Sequence, residues 1–233
     1  SLKMLKDKIE ILIPTFNEEK NIGTVLTELN HEGYFNITIL DANSSDKTVE
    51  IALKHNCKIL LDPPQKKGFG NSLINGFDNL SGDYFCVFDG DNSFNPKSIE
   101  EMFFKIQEGN DFVFASRYKD NEVSDDDDIF SKFANYFFTK IVTFLFKINT
   151  SDVLFLYVLG KKEMIKNLYL NQTDYSICTE LIIKAYKNFK CSEILSKERK
   201  RLHGKSKVNK VFASFTLINN ILRLYFDLKW KKK

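Results

Sequence analysis

Two hydrophobic periods alternate through the first half of the chain. Residues 9–13 read I-E-I-L-I, a short β-branched run ended by Pro14, which predicts a buried strand. Ile22, Val25, Leu26 and Leu29 then recur at helical spacing over residues 21–29. The exchange repeats, with strands predicted over 37–40, 58–61, 84–88 and 112–115, and helices after residue 45, over 68–80 and over 98–107. Ser44 or Ser45 is placed to cap the helix after the second strand, with Asp46 in its first turn. Strands alternating with helices predict βαβ units, a mostly parallel sheet and hence an α/β fold.

Beyond Arg117 the pattern changes. Residues 121–128 form a polar stretch ending in four aspartates, which reads as a solvated loop. An aromatic-rich helix is predicted over 130–148, another over 176–188, and a long apolar-faced helix over 208–230. In the last of these, Phe215, Ile218, Leu222, Tyr225 and Phe226 recur before a run of lysines, a pattern that suits an interfacial helix and a core-packed one equally. There is no internal repeat and no low-complexity linker. The expected organisation is one domain over residues 1–207, with a nucleotide-binding half to about residue 118 and an acceptor half over 119–207. A C-terminal amphipathic helix over 208–233 follows it.

Open parallel sheets bind ligands beyond the carboxyl ends of their strands. Polar residues stand at those ends here: Thr15, Asn17 and Glu18, then Asp41, then Asp62, then Asp89 and Asp91, then Ser116 and Arg117. Repetition at successive strand ends predicts a site along that edge. Asp89-Gly90-Asp91 is its sharpest element. Two carboxylates two residues apart on a turn can face one hard cation, and Mg²⁺ or Mn²⁺ would keep coordination positions for phosphate oxygens. A cation held there stabilises a departing diphosphate as a Lewis acid.

Composition sets bounds on this picture. A chain of 233 residues with 43% hydrophobic and 28% charged residues can bury a sizeable core and stay ordered. The net charge of +3 gives no argument for a nucleic-acid partner, although basic residues crowd residues 197–210 and 229–233. The four cysteines form no C-x-x-C pair, which speaks against zinc or a disulfide framework and for a reduced, cytoplasmic setting. No signal-peptide run and no stretch of roughly 18 apolar residues occurs, so the expectation is peripheral attachment to a membrane at most. A dinucleotide-binding protein would carry G-x-G-x-x-G after the first strand, and this chain does not.

P-T-F-N-E at Pro14–Glu18, D-A-N-S-S-D-K-T at Asp41–Thr48, K-G-F-G-N-S-L at Lys67–Leu73, D-G-D-N-S from Asp89 and A-S-R-Y at Ala115–Tyr118 follow one another in that order. Together they resemble the signatures of family 2 inverting glycosyltransferases. The later run from Arg201 through Gly204 and Ser206 to Lys207 resembles the R-x-x-G-x-S-K of a narrower group, the polyprenyl-phosphate sugar synthases. Ser131, Lys132, Asn135 and Glu180 also fall where that group keeps functional residues. The chain departs from the group at Asp152–Tyr157, which lacks the serine and glycine of D-x-x-S-G-F.

The resemblance implies a GT-A fold, a Rossmann-like half beside an acceptor half, acting on a nucleotide-sugar with a divalent cation, Mg²⁺ or Mn²⁺. It assigns Pro14, Thr15, Asn17, Glu18, Asp41, Asn43, Asp46, Lys67, Gly68, Gly70, Asp89 and Gly90 to the nucleotide-sugar, and Asp89 and Asp91 to the metal. Asp91, Glu180, Arg117, Arg201 and Lys207 are the candidate catalytic residues, with Lys132, Arg201 and Lys207 facing an acceptor phosphate. A phosphate acceptor needs no general base, since its second pKa is about 6. A saccharide hydroxyl would need one, and Glu180 stands in that place. A catalytically silent nucleotide-sugar binding subunit is a third reading, which the intact set of Asp89, Asp91, Arg117 and Arg201 disfavours.

Overall fold

The computed structural model of the protein describes residues 2–119, 129–204 and 210–230. The acidic run at 121–128, Lys207 with its neighbours Lys205 and Ser206, and the lysines 231–233 lie outside the described residues. The elements run α1 (Leu2–Lys6), β1 (Ile9–Thr15), α2 (Ile22–His31), β2 (Ile37–Asp41), α3 (Thr48–Lys54), β3 (Lys58–Leu61), α4 (Phe69–Asp78), β4 (Tyr84–Val87), α5 (Ser98–Gln107) and β5 (Phe112–Ser116). They continue with α6 (Ile129–Phe146), β6 (Val158–Lys161), α7 (Lys162–Ile165), a 3-10 turn (Lys166–Leu168), α8 (Ser176–Asn188), β7 (Cys191–Leu195) and α9 (Lys210–Trp230).

The strands form one sheet in the order β3-β2-β1-β4-β6-β5-β7. All neighbours are parallel except β6, which runs antiparallel to both β4 and β5. This is the α/β, mostly parallel architecture expected, with two strands added. Neither β6 nor β7 was visible as a pattern, because a glycine interrupts the apolar run of β6 (V-L-G-K) and two polar residues interrupt that of β7 (C-S-E-I-L). Gly160 makes β6 possible. It lies between Phe85 and Phe112 on the neighbouring strands, and a Cβ there would fall 2.6 Å from Phe112 and 2.8 Å from Phe85.

Side chains from β1 alternate between two apolar layers. Ile9, Ile11 and Ile13 join α2 and α5 on one face, and Leu12 joins α4 and α8 on the other. Glu10 belongs to this central strand yet carries a charge. Its carboxylate accepts from Thr38 Oγ1 at 2.7 Å, Ser81 N at 2.6 Å and Gly82 N at 3.0 Å. Burial works to raise its pKa, but these donors outweigh burial and hold it below the ordinary value.

β1 does not stop at Pro14, as the sequence suggested, but continues to Thr15. Leu12 O accepts from Phe88 N, so by alternation the Pro14 nitrogen faces the β4 side, where β4 has ended at Val87. The missing N–H therefore removes no ladder bond. A third apolar cluster joins α6, α8 and α9 through Phe138, Val142, Ile183, Leu217 and Ile221. The C-terminal helix thus packs one face on its own chain, while Phe215, Leu222 and Phe226 point outward. Among the described residues no helix is long and apolar enough to cross a membrane.

Candidate active site at the carboxyl edge of the sheet

The loops after β1 and β2 are stitched to each other by their own polar groups. Asn17 N donates to Ser44 Oγ at 2.9 Å, and Ser45 N returns a bond to Asn17 Oδ1 at 2.9 Å. Glu18 N donates to Thr48 Oγ1 at 2.8 Å, and Glu19 N to Asp46 Oδ2 at 3.1 Å. Asn17 and Asn43 hold left-handed φ values of 54° and 60°, and Asn92, after β4, holds 71°. Asparagine tolerates that region better than other residues with a side chain. Three strand ends thus turn sharply with an asparagine, which leaves the edge open beyond the turns. The helix after β2 begins at Thr48, later than a Ser44 or Ser45 cap would have it. Asp46 precedes that helix and accepts from Thr48 N at 2.9 Å, because Ser44 is already committed to Asn17 and Asp41.

Asp41 sits at the base of this stitch with no exposed surface. Its carboxylate accepts from Thr15 Oγ1 at 2.9 Å, Ser44 Oγ at 2.6 Å and Ser44 N at 2.7 Å. The structure therefore gives Asp41 and Thr15 the work of holding the rim. Asn43 reaches Asp62 O at 3.2 Å, tying the β2 end to the β3 end. Asp62 is buried, which raises its pKa, and it is held by Ser72.

At the end of β4 the chain turns through Asp89-Gly90-Asp91. Gly90 packs under the turn, where a Cβ would lie 3.3 Å from Thr15 Cγ2. Asp91 is buried; its Oδ1 accepts from Ser93 N at 2.9 Å, and its Oδ2 meets Arg201 Nη2 at 2.6 Å. The segment carrying Arg201 is zipped to the same turn by Arg199 N to Ser93 O at 2.8 Å and Leu202 N to Asp91 O at 3.5 Å. Arg199 itself clamps Glu28 Oε2 at 2.8 Å and Phe94 O at 2.6 Å. Burial, then Asp91, push the Asp89 carboxyl up to about 8; Arg201 opposes the shift, while Glu198 and Glu18 add to it. Carboxylates outnumber cations around this turn. A cleft opens beside it, with Asn17, Glu18, Lys20 and Asp46 on one wall and Arg201 and His203 on the other.

The description "Glycosyl transferase family 2" belongs to the family whose model matches residues 10–169. The chain belongs to that family. An uncharacterized protein of Methanocaldococcus jannaschii is 30% identical over 230 residues, covering 93% of this chain and 92% of the relative. A dolichol-phosphate mannosyltransferase of Pyrococcus furiosus is 27% identical over 241 residues, covering 96% of this chain but 64% of the relative. In structure, the chain overlays glucosyl-3-phosphoglycerate synthase of Mycobacterium tuberculosis with a TM-score of 0.76 at 16% identity, over 95% of this chain and 81% of that one. That protein was crystallised with Mn²⁺ and UDP. The fold is GT-A, and the protein is a glycosyltransferase.

Several residues of this glycosyltransferase take positions that its sequence did not suggest. Arg117 is engaged inside the protein: Nε and Nη2 fork onto Asp152 at 2.8 and 3.1 Å, Nη1 meets Glu198 at 3.2 Å, and the guanidinium lies over the Phe155 ring. Glu180 is buried, and its carboxylate accepts from Asn171 N at 3.1 Å, Gln172 N at 2.9 Å and Lys184 Nζ at 2.6 Å. It fixes the segment ahead of α8. That segment lies on Gly68 and Gly70, where added Cβ atoms would strike Thr173 O at 2.3 Å and Gln172 O at 2.2 Å. The close approach those glycines permit is therefore made by the chain's own backbone. Lys67 is exposed at the entry to α4, and Lys132 is half-buried near the start of α6.

Glu198 and Tyr175 were missed. Glu198 hides in the basic run K-E-R-K-R, yet it bridges Arg117 toward the Asp89 turn. Tyr175 stacks on Phe69 with centroids 4.5 Å apart. Burial raises its phenol, as do Asp89 and Glu18, against Arg201, which sets this ring in the field of the Asp89 turn. Neither residue carries a local sequence signal.

Proposed function

We propose that the protein transfers a sugar, with inversion, from a UDP- or GDP-sugar to a polyprenyl phosphate. The observation that carries this reading is the Asp89-Gly90-Asp91 turn at the end of β4, whose Asp91 meets Arg201 on the wall of the cleft that Asn17, Glu18 and Asp46 also line. Two hard oxygen donors with an excess of negative charge suit Mg²⁺ or Mn²⁺, and Asp89 and Asp91 are the residues to hold it. Such a cation would supply charge stabilisation to the departing diphosphate. The rim from Asn17 to Asp46 holds the nucleoside. Arg201 meets diphosphate oxygens through charge-assisted bonds.

In the reaction, a phosphate oxygen of the acceptor forms a bond to the anomeric carbon while the bond from that carbon to the diphosphate oxygen breaks on the opposite side. The acceptor oxygen is already ionised near neutral pH, so no proton has to be removed. This agrees with the state of Glu180. A base acting on a hydroxyl would have to give up two backbone donors and the Lys184 ammonium. Lys132 and Lys207 remain candidates for the acceptor phosphate.

A lipid acceptor also requires a surface to meet it on. Phe130, Phe133, Phe137 and Phe144 on α6, with Phe215 and Phe226 on α9, are exposed, and Lys140 and Lys229 lie on the same helices. Exposed aromatics with flanking lysines suit peripheral attachment to the cytoplasmic face of a membrane. The test is transfer from a panel of UDP- and GDP-sugars to a short polyprenyl phosphate, with Mn²⁺ or Mg²⁺ and with EDTA. Glycolipid formed from one donor and lost with EDTA is the expected result. Donor binding with slow hydrolysis and no glycolipid, under every cation, would overturn the acceptor.

A further inference from the structure

We infer that Arg201 is the internal counter-ion of Asp91, and that it exchanges partners when the donor arrives, leaving the carboxylate to the divalent cation and moving to the diphosphate. The inference rests on the metal assignment proposed above and adds to it a coupling between cation and nucleotide. Both oxygens of Asp91 are engaged by the chain itself: Oδ1 by Ser93 N, Oδ2 by Arg201 Nη2. The first bond shapes the turn. The second comes from a residue 110 positions away, through a side chain one-quarter exposed on the wall of the cleft.

The backbone under Arg201 does not need that ion pair to stay in place. Arg199 N bonds Ser93 O, and its guanidinium holds Glu28 and Phe94 O. The segment is therefore anchored two residues earlier, and the Arg201 side chain can swing without releasing its backbone. A guanidinium on Asp91 competes with a cation for the same oxygen. A diphosphate offers that guanidinium better partners, two or more anionic oxygens in fork geometry. Cation and nucleotide then bind with positive coupling: each makes room for the other.

The experiment is calorimetric and EPR-detected Mn²⁺ binding to the whole protein, with and without UDP or GDP, in wild type, Arg201→Gln, Arg201→Lys and Lys20→Gln. Lys20→Gln removes a charge from the wall of the same cleft. Arg201→Gln should tighten Mn²⁺ binding in the absence of nucleotide by roughly tenfold, and the tightening that nucleotide adds in wild type should shrink by a similar factor. Arg201→Lys should stay near wild type in the absence of nucleotide, and Lys20→Gln should move the affinity less than about twofold. Mn²⁺ binding to Arg201→Gln no tighter than to wild type would overturn the exchange alone, as would an equal gain in Lys20→Gln. If Arg201→Gln does not fold, Mn²⁺ affinity of wild type that is the same with and without nucleotide is equally decisive against it. Mn²⁺ binding to no variant under any condition would remove the metal assignment and the exchange together.

Discussion

Arg117 and Arg201 each meet a buried aspartate, one inside the fold and one at its open edge. Arg117 forks onto Asp152 with two bonds, adds Glu198, and lies over Phe155; its side chain is 11% exposed and that of Asp152 is 0%. Arg201 Nη2 meets Asp91 Oδ2 at 2.6 Å, with 25% of the arginine side chain exposed on a cleft wall. The first pair has every geometric mark of a fixed strut. Its removal would strand a charge with no water to take its place. The second pair can be broken by any stronger partner, since solvent already reaches one member. The two pairs are linked, because Glu198 touches Arg117 and bears electrostatically on Asp89. The strut thus positions the segment from which the exchangeable arginine projects.

Substitution at the two arginines should separate these roles. Arg117→Ala should cost about 3–5 kcal/mol of stability, because Asp152 would be left buried and unpaired. Urea unfolding followed by circular dichroism reads this as a lowered midpoint at unchanged slope. Arg117→Lys should recover little, since an ammonium cannot fork. A midpoint for Arg117→Ala within error of wild type would erase the distinction between the two pairs. Arg201→Ala should cost less than Arg117→Ala, because solvent already reaches the Arg201 side chain and Asp91 keeps its bond from Ser93 N. Its effect should appear instead in transfer, with a similar loss for a phosphate and a hydroxyl acceptor, because the donor diphosphate is common to both. A loss confined to the phosphate acceptor would move Arg201 from the diphosphate to the acceptor.

Much of this contrast could not be read from the sequence, for physical reasons that differ by region. α5 and α8 occupy 98–107 and 176–188 as expected, because each pairs an apolar stripe with clear polar boundaries. The Asp89-Gly90-Asp91 turn was legible because it follows a buried run directly. β6 was not, because its assignment depends on the fit of Gly160 between two phenylalanines that come from distant parts of the chain. The partners of Arg117 and Arg201 were equally hidden. Asp152 is 35 positions from Arg117 and Asp91 is 110 from Arg201, and no local spacing reports such pairs. The left-handed asparagines are a different case. Asn17 and Asn43 each lie two residues past a strand end and Asn92 five, and asparagine there was a usable turn signal.

The open edge should also respond to pH. Burial and the neighbouring carboxylates raise Asp89 from an ordinary value of 3.8 to about 8. The folded protein therefore holds a proton there that the unfolded chain releases. The stability this group contributes is fully present below about 3.8 and is lost as pH rises through about 8. A divalent cation needs the carboxylate, so its binding should release close to one proton at pH 6.5 and progressively fewer above pH 8. Mn²⁺ affinity should accordingly rise with pH and level off near 8. Calorimetry in two buffers of different ionisation enthalpy counts the proton directly. Asp89→Asn, studied without metal, should flatten the decline in stability between pH 4 and pH 8. A decline that survives Asp89→Asn would count against Asp89 as the group that holds this proton, and with it against a raised Asp89 at the open edge.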